Sequence, residues 1–264
     1  MNFKFLGTGS AFTIDNYHTN FLIERNDKHL LIDAGTDIRF SLRRRDYSYK
    51  DIDAVYLSHL HSDHIGGLEY LAFASYFDPT IEDKIQLFGN NKLLRKAWDH
   101  TLRGGLESLQ GKVLTLNDYF DVNMIRDNGS FMWQDIKFEL VQTIHIMNGY
   151  SLVPSYGLMI HDPDTNKKIF FTGDTQFAPN QMMDFYKSAD YIIQDCETTP
   201  YKSGVHAHFS ELSNLPKEIK ERMYLVHFQD NVIKNSEEWI TKANKNDFIC
   251  GFVSVSIGSN VTLK

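Results

Sequence analysis

Apolar and polar residues alternate at the start of the chain, and that period predicts strands. Phe3-Lys-Phe-Leu6 is a first strand, running into the glycine turn Gly7-Thr-Gly-Ser10. Phe21-Leu-Ile-Glu-Arg25 and His29-Leu-Leu-Ile-Asp33 predict two more, joined by Asn26-Asp27, residues that suit a tight turn. Asp33-Ala-Gly35 closes the second, and Thr36 is placed to cap a helix carrying Ile38, Phe40 and Leu42. Asp53-Ala-Val-Tyr-Leu-Ser58 reads as a buried strand. Beyond it, from Ile65-Gly-Gly-Leu to Phe77, the positions Leu68, Leu71, Ala72, Ser75 and Tyr76 keep helical spacing. Ile85-Gln-Leu-Phe88 predicts a strand and residues 91–102 a helix. Residues 113–116 and 137–144 read as strands, with the turn Asp127-Asn-Gly-Ser130 between them.

In the second half the pattern changes. Tyr156-Gly-Leu-Met-Ile160 and Lys168-Ile-Phe-Phe-Thr172 form a hairpin around Asp162-Pro-Asp-Thr-Asn166. A helix (180–188), a strand (191–195), a helix (210–222) and a strand (223–228) follow, then a helix near Trp239 and a strand near Phe248. Short strands giving way to strands alternating with helices predict an α/β protein with two packed sheets and helices outside.

Composition narrows the class. A chain of 264 residues fits one large domain, here taken as 1–264, and can bury a sizeable core. No apolar run approaches the roughly 20 residues of a membrane span, and Met1-Asn-Phe-Lys-Phe-Leu lacks a signal-peptide layout. With no export signal, Cys196 and Cys250 read as reduced thiols and the protein as cytoplasmic. A net charge of −7 argues against a long nucleic acid as partner, although bound cations would still admit a small anion. The basic run Arg43-Arg44-Arg45 reads first as a solvated helix end, with phosphate binding as the alternative.

The chemistry concentrates in Ser58-His-Leu-His-Ser-Asp-His64. His59, His61, Asp63 and His64 place four donors suited to zinc and related divalent ions on one strand-to-helix turn. One ion cannot comfortably take all four neighbours, so the spacing suggests two ions. Further candidates stand at strand ends: His145, Asp174 and His227. A lone histidine beside an apolar strand is ordinarily a packed residue. Beside a four-donor cluster, these three gain weight as ligands.

His59-Leu-His61-Ser-Asp63-His64 matches the HxHxDH signature of the metallo-β-lactamase superfamily, which the chain resembles from about residue 3 to 228. Asp33, His145, Asp174 and His227 match its other motifs in order. The resemblance implies a four-layer αββα sandwich and a dinuclear hydrolase. One ion would take His59, His61 and His145; the second Asp63, His64 and His227; and Asp174 would bridge them. Asp33 would steady an imidazole from behind. The ions would be zinc first, manganese second, and would activate a bridging hydroxide.

Gly204-Val-His206-Ala-His208-Phe-Ser-Glu resembles the phosphodiesterase branch of that superfamily. It implies catalytic residues Asp63, His206 and His208, with His206 protonating the leaving oxygen and His208 supporting it; the structural alternative is a pair of surface histidines capping a helix at Ser210. Phe5-Leu-Gly-Thr-Gly-Ser-Ala-Phe12 resembles both ribonuclease Z enzymes and cyclic-nucleotide phosphodiesterases. Residues 78–140 hold no Gly/Pro-rich basic arm for tRNA, and His64-Ile-Gly-Gly-Leu departs from the ribonuclease Z pattern. The compact layout therefore resembles the cyclic-nucleotide enzymes more, including the phage-type anti-Pycsar enzymes that destroy cyclic mononucleotides. A small anionic phosphodiester is the implied substrate and a homodimer the implied assembly. A carbonyl-directed hydrolase, lactonase or thioesterase, shares the ligands and is the alternative of another class. Tyr17, Phe77, Trp98, Trp133, Tyr150 and Tyr156 are aromatic candidates for stacking on a base, each expected instead to pack in the core or on the surface.

Overall fold

The structure is a computed structural model that describes residues 1–253; residues 254–264 of the expected domain lie outside the described part. Its strands are β1 (Asn2–Gly7), β2 (Asn20–Arg25), β3 (Lys28–Ile32), β4 (Ala54–Leu57), β5 (Ile85–Asn90), β6 (Ser108–Leu109), β7 (Lys112–Val113) and β8 (Phe120–Ile125). They continue as β9 (Ser130–Trp133), β10 (Ile136–Gln142), β11 (Tyr156–His161), β12 (Lys168–Phe171), β13 (Tyr191–Asp195), β14 (Met223–Val226) and β15 (Gly251–Phe252). One sheet runs β1-β2-β3-β4-β5-β8, the other β15-β14-β13-β12-β11-β10-β9, and β6-β7 is a small separate hairpin.

Side-chain direction explains the layering. Successive residues of a strand face opposite ways. In β12, Ile169 and Phe171 join the core between the sheets while Phe170 joins a second core on the outer face. That outer core packs Met182 and Tyr186 of the helix Pro179–Ser188 and Trp239 of the helix Ser236–Lys245. On the other side, Ile38 and Leu42 of the helix Ile38–Arg44 and Leu68, Leu71 and Ala72 of Leu68–Tyr76 cover the first sheet. The order is helices, sheet, sheet, helices, as expected. β4 is buried along its whole length, which is why Ala54-Val-Tyr-Leu57 is apolar without alternation.

Parallel pairing unites β3-β4-β5-β8 in one sheet and β12-β13-β14-β15 in the other. Parallel neighbours end at the same side, so loops leaving their carboxyl ends gather along one rim.

Several expectations shift. The first-turn cap of helix Ile38–Arg44 is Asp37, not Thr36; its carboxylate is spent on the His18 backbone N–H (2.8 Å). Phe40 points outward. Helix after the histidine turn starts early, at Ser62–Ile65, and restarts at Leu68 after Gly66-Gly67. Residues 113–116 are not one strand: Asp118 accepts the Thr115 N–H (2.6 Å) and hydroxyl (2.7 Å), closing a turn of helix over Leu116–Tyr119. β8 was not predicted although Phe120-Asp-Val-Asn-Met124 alternates, and in β9 the exposed Met132 hides the alternation of buried Phe131 and Trp133. The helix expected over 91–102 passes into a π turn at Trp98–Leu102. The one expected over 210–222 is split into Phe209–Leu212 and Lys217–Lys220, since Pro216 has no N–H to continue the ladder. Phe248 is buried outside any strand, and the last described strand is β15.

Phe21 ties the sandwich together: fully buried, its ring centroid lies 5.1 Å from Phe5 and 5.2 Å from Phe171 of the opposite sheet. Phe21→Ala should cost about 3–5 kcal/mol of stability, read as a lower urea midpoint at unchanged slope; an unchanged midpoint would place the inter-sheet core elsewhere.

Candidate metal centre

The rim collects its side chains from both sheets. From the first come Asp33 after β3 and the segment 58–64 after β4; from the second come His145, Asp174 and His227 after β10, β12 and β14, and Asp195 at the end of β13. Asp33 and His227 hold left-handed backbone, with φ of 59° and 62°. Such conformations are uncommon for residues other than glycine and concentrate at functional sites.

Three imidazole nitrogens converge first. His59 Nε2 lies 3.1 Å from His61 Nδ1, which lies 3.1 Å from His145 Nε2. The remaining nitrogens of His59 and His145 are turned outward, His59 Nδ1 to Ser58 Oγ (3.1 Å) and His145 Nδ1 donating to the Val205 carbonyl (2.8 Å). A second group forms beside it: Asp63 Oδ2 is 3.1 Å from His64 Nε2 and 3.2 Å from His227 Nε2. Asp174 faces both. Its Oδ2 is 3.6 Å from His59 Nε2, 3.7 Å from His145 Nε2 and 3.5 Å from His227 Nε2, and its Oδ1 is 3.4 Å from His64 Nε2. The donors of each group lie within 4.8 Å of one another.

Asp33 performs the bracing role its position implied. Its Oδ1 accepts the Ser58 N–H (2.8 Å), and its Oδ2 accepts the Ser58 hydroxyl (2.6 Å) and the His64 Nδ1–H (2.8 Å). That contact fixes the tautomer and leaves His64 Nε2 a lone pair aimed inward. His64 Nε2 is buried and, although Asp63 Oδ2 is 3.1 Å away, makes no well-directed hydrogen bond among the described residues.

The electrostatics call for a cation. Burial, then neighbouring His64, hold the His59 pKa well below the ordinary imidazole value, and burial also lowers His61 and His145. Burial opposes charge on His64 too, yet Asp174, Asp63 and Asp33 raise its pKa well above the ordinary value. His227 is raised likewise against burial, by Asp174 and by its contacts with Asp195 and Asp63. Burial alone would push Asp63 and Asp174 up, but the surrounding histidines hold both carboxyls far below their usual range. Divalent cations compete with such protons for imidazole and carboxylate donors.

Asp195 was not singled out from sequence. Its Oδ2 accepts the His206 Nδ1–H (2.8 Å) and the Thr175 backbone N–H (2.9 Å), and its Oδ1 is 3.4 Å from His227 Nδ1. An acidic residue ending the apolar run Tyr191-Ile-Ile-Gln-Asp195, as Asp33 ends β3, is the signal that could have found it. The His206 ring is half-buried, 4.9 Å from the His145 ring and 4.8 Å from the His227 ring. Burial disfavours its protonation, but Asp195 outweighs this and raises the His206 pKa.

His208 is placed differently. Its Nδ1 accepts the Ser210 backbone N–H (3.2 Å) at the start of the helix Phe209–Leu212, and its Nε2 donates to the Thr199 carbonyl (2.9 Å). Both nitrogens are committed to the chain, and the ring joins none of the donor groups among the described residues.

Residues 1–252 match the family described as anti-Pycsar protein Apyc1. The chain is 34% identical over 235 residues to an anti-Pycsar protein Apyc1 of Paenibacillus sp. (strain J14), covering 88% of this chain and 91% of that one. It is 32% identical over 253 residues to the protein of that name from Bacillus phage BSP38, covering 93% and 94%. Among solved structures, the metallo-β-lactamase fold protein YhfI of Bacillus subtilis superposes with a TM-score of 0.70 at 19% identity, over 97% of this chain and 95% of that one. The fold is therefore the metallo-β-lactamase one.

The cradle depends on close backbone approach at Gly35. A Cβ there would lie 2.3 Å from the Asp63 carbonyl oxygen and 2.7 Å from His18 Nδ1. Gly35→Ala should displace the turn carrying Asp63 and His64, lowering stability by about 1–3 kcal/mol and reducing the zinc retained after dialysis. Gly104→Ala, whose methyl would meet nothing within 4 Å, should lower neither thermal midpoint nor zinc content. Equal behaviour of the two variants would refute the packing argument.

Proposed function

The chain belongs to the anti-Pycsar protein Apyc1 family, and from that membership we propose that it is a metal-dependent phosphodiesterase hydrolysing a small cyclic mononucleotide. The observation that carries this reading is two donor groups facing one shared carboxylate, with the His206–Asp195 pair beside them. His59, His61 and His145 would hold one ion and Asp63, His64 and His227 the other, with Asp174 placed to serve both. The buried His64 Nε2 and the mixed imidazole and carboxylate donors fit zinc, with manganese second. A pair of divalent ions there supplies Lewis acidity, which activates water and offsets charge on phosphoryl oxygens.

The chain's own groups supply the rest. His206 gives its Nδ1–H to Asp195, while its Nε2 makes no hydrogen bond with the described residues. In the protonated ring that Nε2–H is the proton for the leaving ribose oxygen, and Asp195 keeps the ring oriented and charged. Asp63 uses Oδ2 against His64 and His227; its other oxygen is the acceptor for a proton from the attacking water. His208 acts through the loop, fastening residues 199–210 so that His206 keeps its place. His61 is exposed and His206 half-buried, so these two mark the open side of the site.

Residues 78–140 are occupied by β5 to β9, most of β10 and their connecting helices, which leaves no extended arm for a large nucleic acid. That favours a small phosphodiester over tRNA, and the histidine pair favours phosphodiester over carbonyl chemistry. No helix among the described residues is long and apolar enough to cross a membrane. One domain over 1–264, a homodimer and a cytoplasmic location complete the proposal.

Elemental analysis of the reloaded protein should find two divalent ions per chain, and Asp174→Ala should lose the pair together with activity. Full activity at one ion per chain would sink the dinuclear assignment. His206→Ala should lower kcat for a cyclic nucleotide by about 10²–10⁴-fold with both ions retained. Bis-(p-nitrophenyl) phosphate, whose leaving group hardly needs a proton, should suffer far less. Equal losses on the two substrates would make His206 a binding group instead of an acid.

A further inference from the structure

The six aromatic candidates for base stacking separate cleanly by location. Trp133 and Tyr156 are buried in the inter-sheet core, and Trp98 packs against it. Tyr17 is half-buried. Phe77 follows the carboxyl end of the helix Leu68–Tyr76, at the end away from the metal turn, where it packs on Phe73 and Tyr76. Tyr150 is the most exposed of the six, at 99%.

Tyr150 sits at the tip of a hairpin rooted in the donor cluster. One leg leaves His145 directly. The other returns to Ser155, which accepts the Thr143 N–H through its carbonyl (2.9 Å) and donates its hydroxyl to the Asp174 carbonyl (3.2 Å). Between the legs, Val153 N–H bonds the Ile146 carbonyl (2.8 Å) and Asn148 N–H the Ser151 carbonyl (3.2 Å). The Asn148 side-chain oxygen accepts the N–H groups of Tyr150 (3.1 Å) and Ser151 (3.0 Å), and Gly149 takes the left-handed φ of 92°. The turn is thus ordered by its own backbone and by Asn148, without help from the Tyr150 ring. A ring held out on a pre-ordered turn can accept a flat partner with little further entropy loss.

We propose that Tyr150 is the platform on which the nucleobase of the substrate stacks, making it a specificity-determining residue for this chain. The proposal rests on the phosphodiesterase reading above. Tyr150 is five positions after His145, so their Cα atoms lie no farther than about 17 Å apart. Stacking is tolerant of base identity because every base has a π face. Tyr150 therefore selects nucleotides over base-free diesters without choosing among bases.

The test uses the zinc-reloaded full chain, with cytidine, uridine and adenosine 3′,5′-cyclic monophosphates and the base-free methyl riboside 3′,5′-cyclic phosphate. The unaltered chain should favour all three nucleotides by KM. Tyr150→Ala should raise KM for each by roughly 10- to 100-fold, the range set by one base–aromatic stack, with kcat little changed. It should erase the preference over the base-free ester. Tyr150→Phe should restore it, since the ring and not the hydroxyl stacks. If Phe12→Ala erases the preference instead, the base lies on the other exposed loop and Tyr150 is wrong. If Tyr150→Ala changes the sedimentation coefficient and leaves the preference intact, the ring serves an assembly contact and the proposal fails. A chain that hydrolyses all four esters without preference overturns Tyr150 alone. One that hydrolyses none overturns the phosphodiesterase reading together with it.

Discussion

Four buried carboxylates at one end of the sandwich, those of Asp33, Asp63, Asp174 and Asp195, are the constraint on which the rest depends. An unpaired buried charge costs several kcal/mol, so each must be met by donors or by positive charge. Asp33 is met by Ser58 and His64, and Asp195 by Thr175 and His206. Asp63 and Asp174 have only imidazoles around them. That division separates braces from cation-holding groups on physical grounds: carboxylates satisfied by the chain orient histidines, and carboxylates left facing imidazole lone pairs create a place for metal.

The two sheets need each other for this. The first supplies Asp33 and the 58–64 turn, the second His145, Asp174, Asp195 and His227, so neither of the two groups that contain residues 59–64 is complete on one sheet. Their relative position is pinned near the rim, where Tyr156 N–H bonds the Ser58 carbonyl (3.1 Å) and the Tyr56 hydroxyl bonds the Tyr156 carbonyl (3.0 Å). Farther along the seam Phe21 meets Phe171. A displacement of the sheets of even an ångström would change the distance between Asp174 and the imidazoles of His59 and His64. The apolar seam thereby sets the geometry of the polar site.

The pair His206 and His208 illustrates how hydrogen bonds assign work to similar residues two positions apart. Residues two apart on a strand face the same way, but the chain turns into helix at Phe209 and His208, its cap, looks away from His206. One ring meets Asp195 and the donor cluster, the other meets the Ser210 N–H and the Thr199 carbonyl. The sequence reading weighed capping against catalysis for both residues together. The structure divides them, with His208 as the cap and His206 at the cluster.

What the sequence determined by itself was local. The strands Phe3–Leu6 and Ala54–Leu57, the Asn26-Asp27 turn and the 59–64 donor cluster follow from period, turn chemistry and ligand spacing within a few residues. The four-residue strand β9, the helix break at Pro216 and the turn capped by Asp118 were less legible, because such short elements leave weak periodic signals. Only the tertiary structure decided that Asp195 holds His206 and stands 3.4 Å from His227 Nδ1. It likewise decided which of the six candidate aromatic rings stands most exposed. Those facts depend on how two sheets converge at their carboxyl ends, and a periodicity read along one strand carries no information about the strand across the seam.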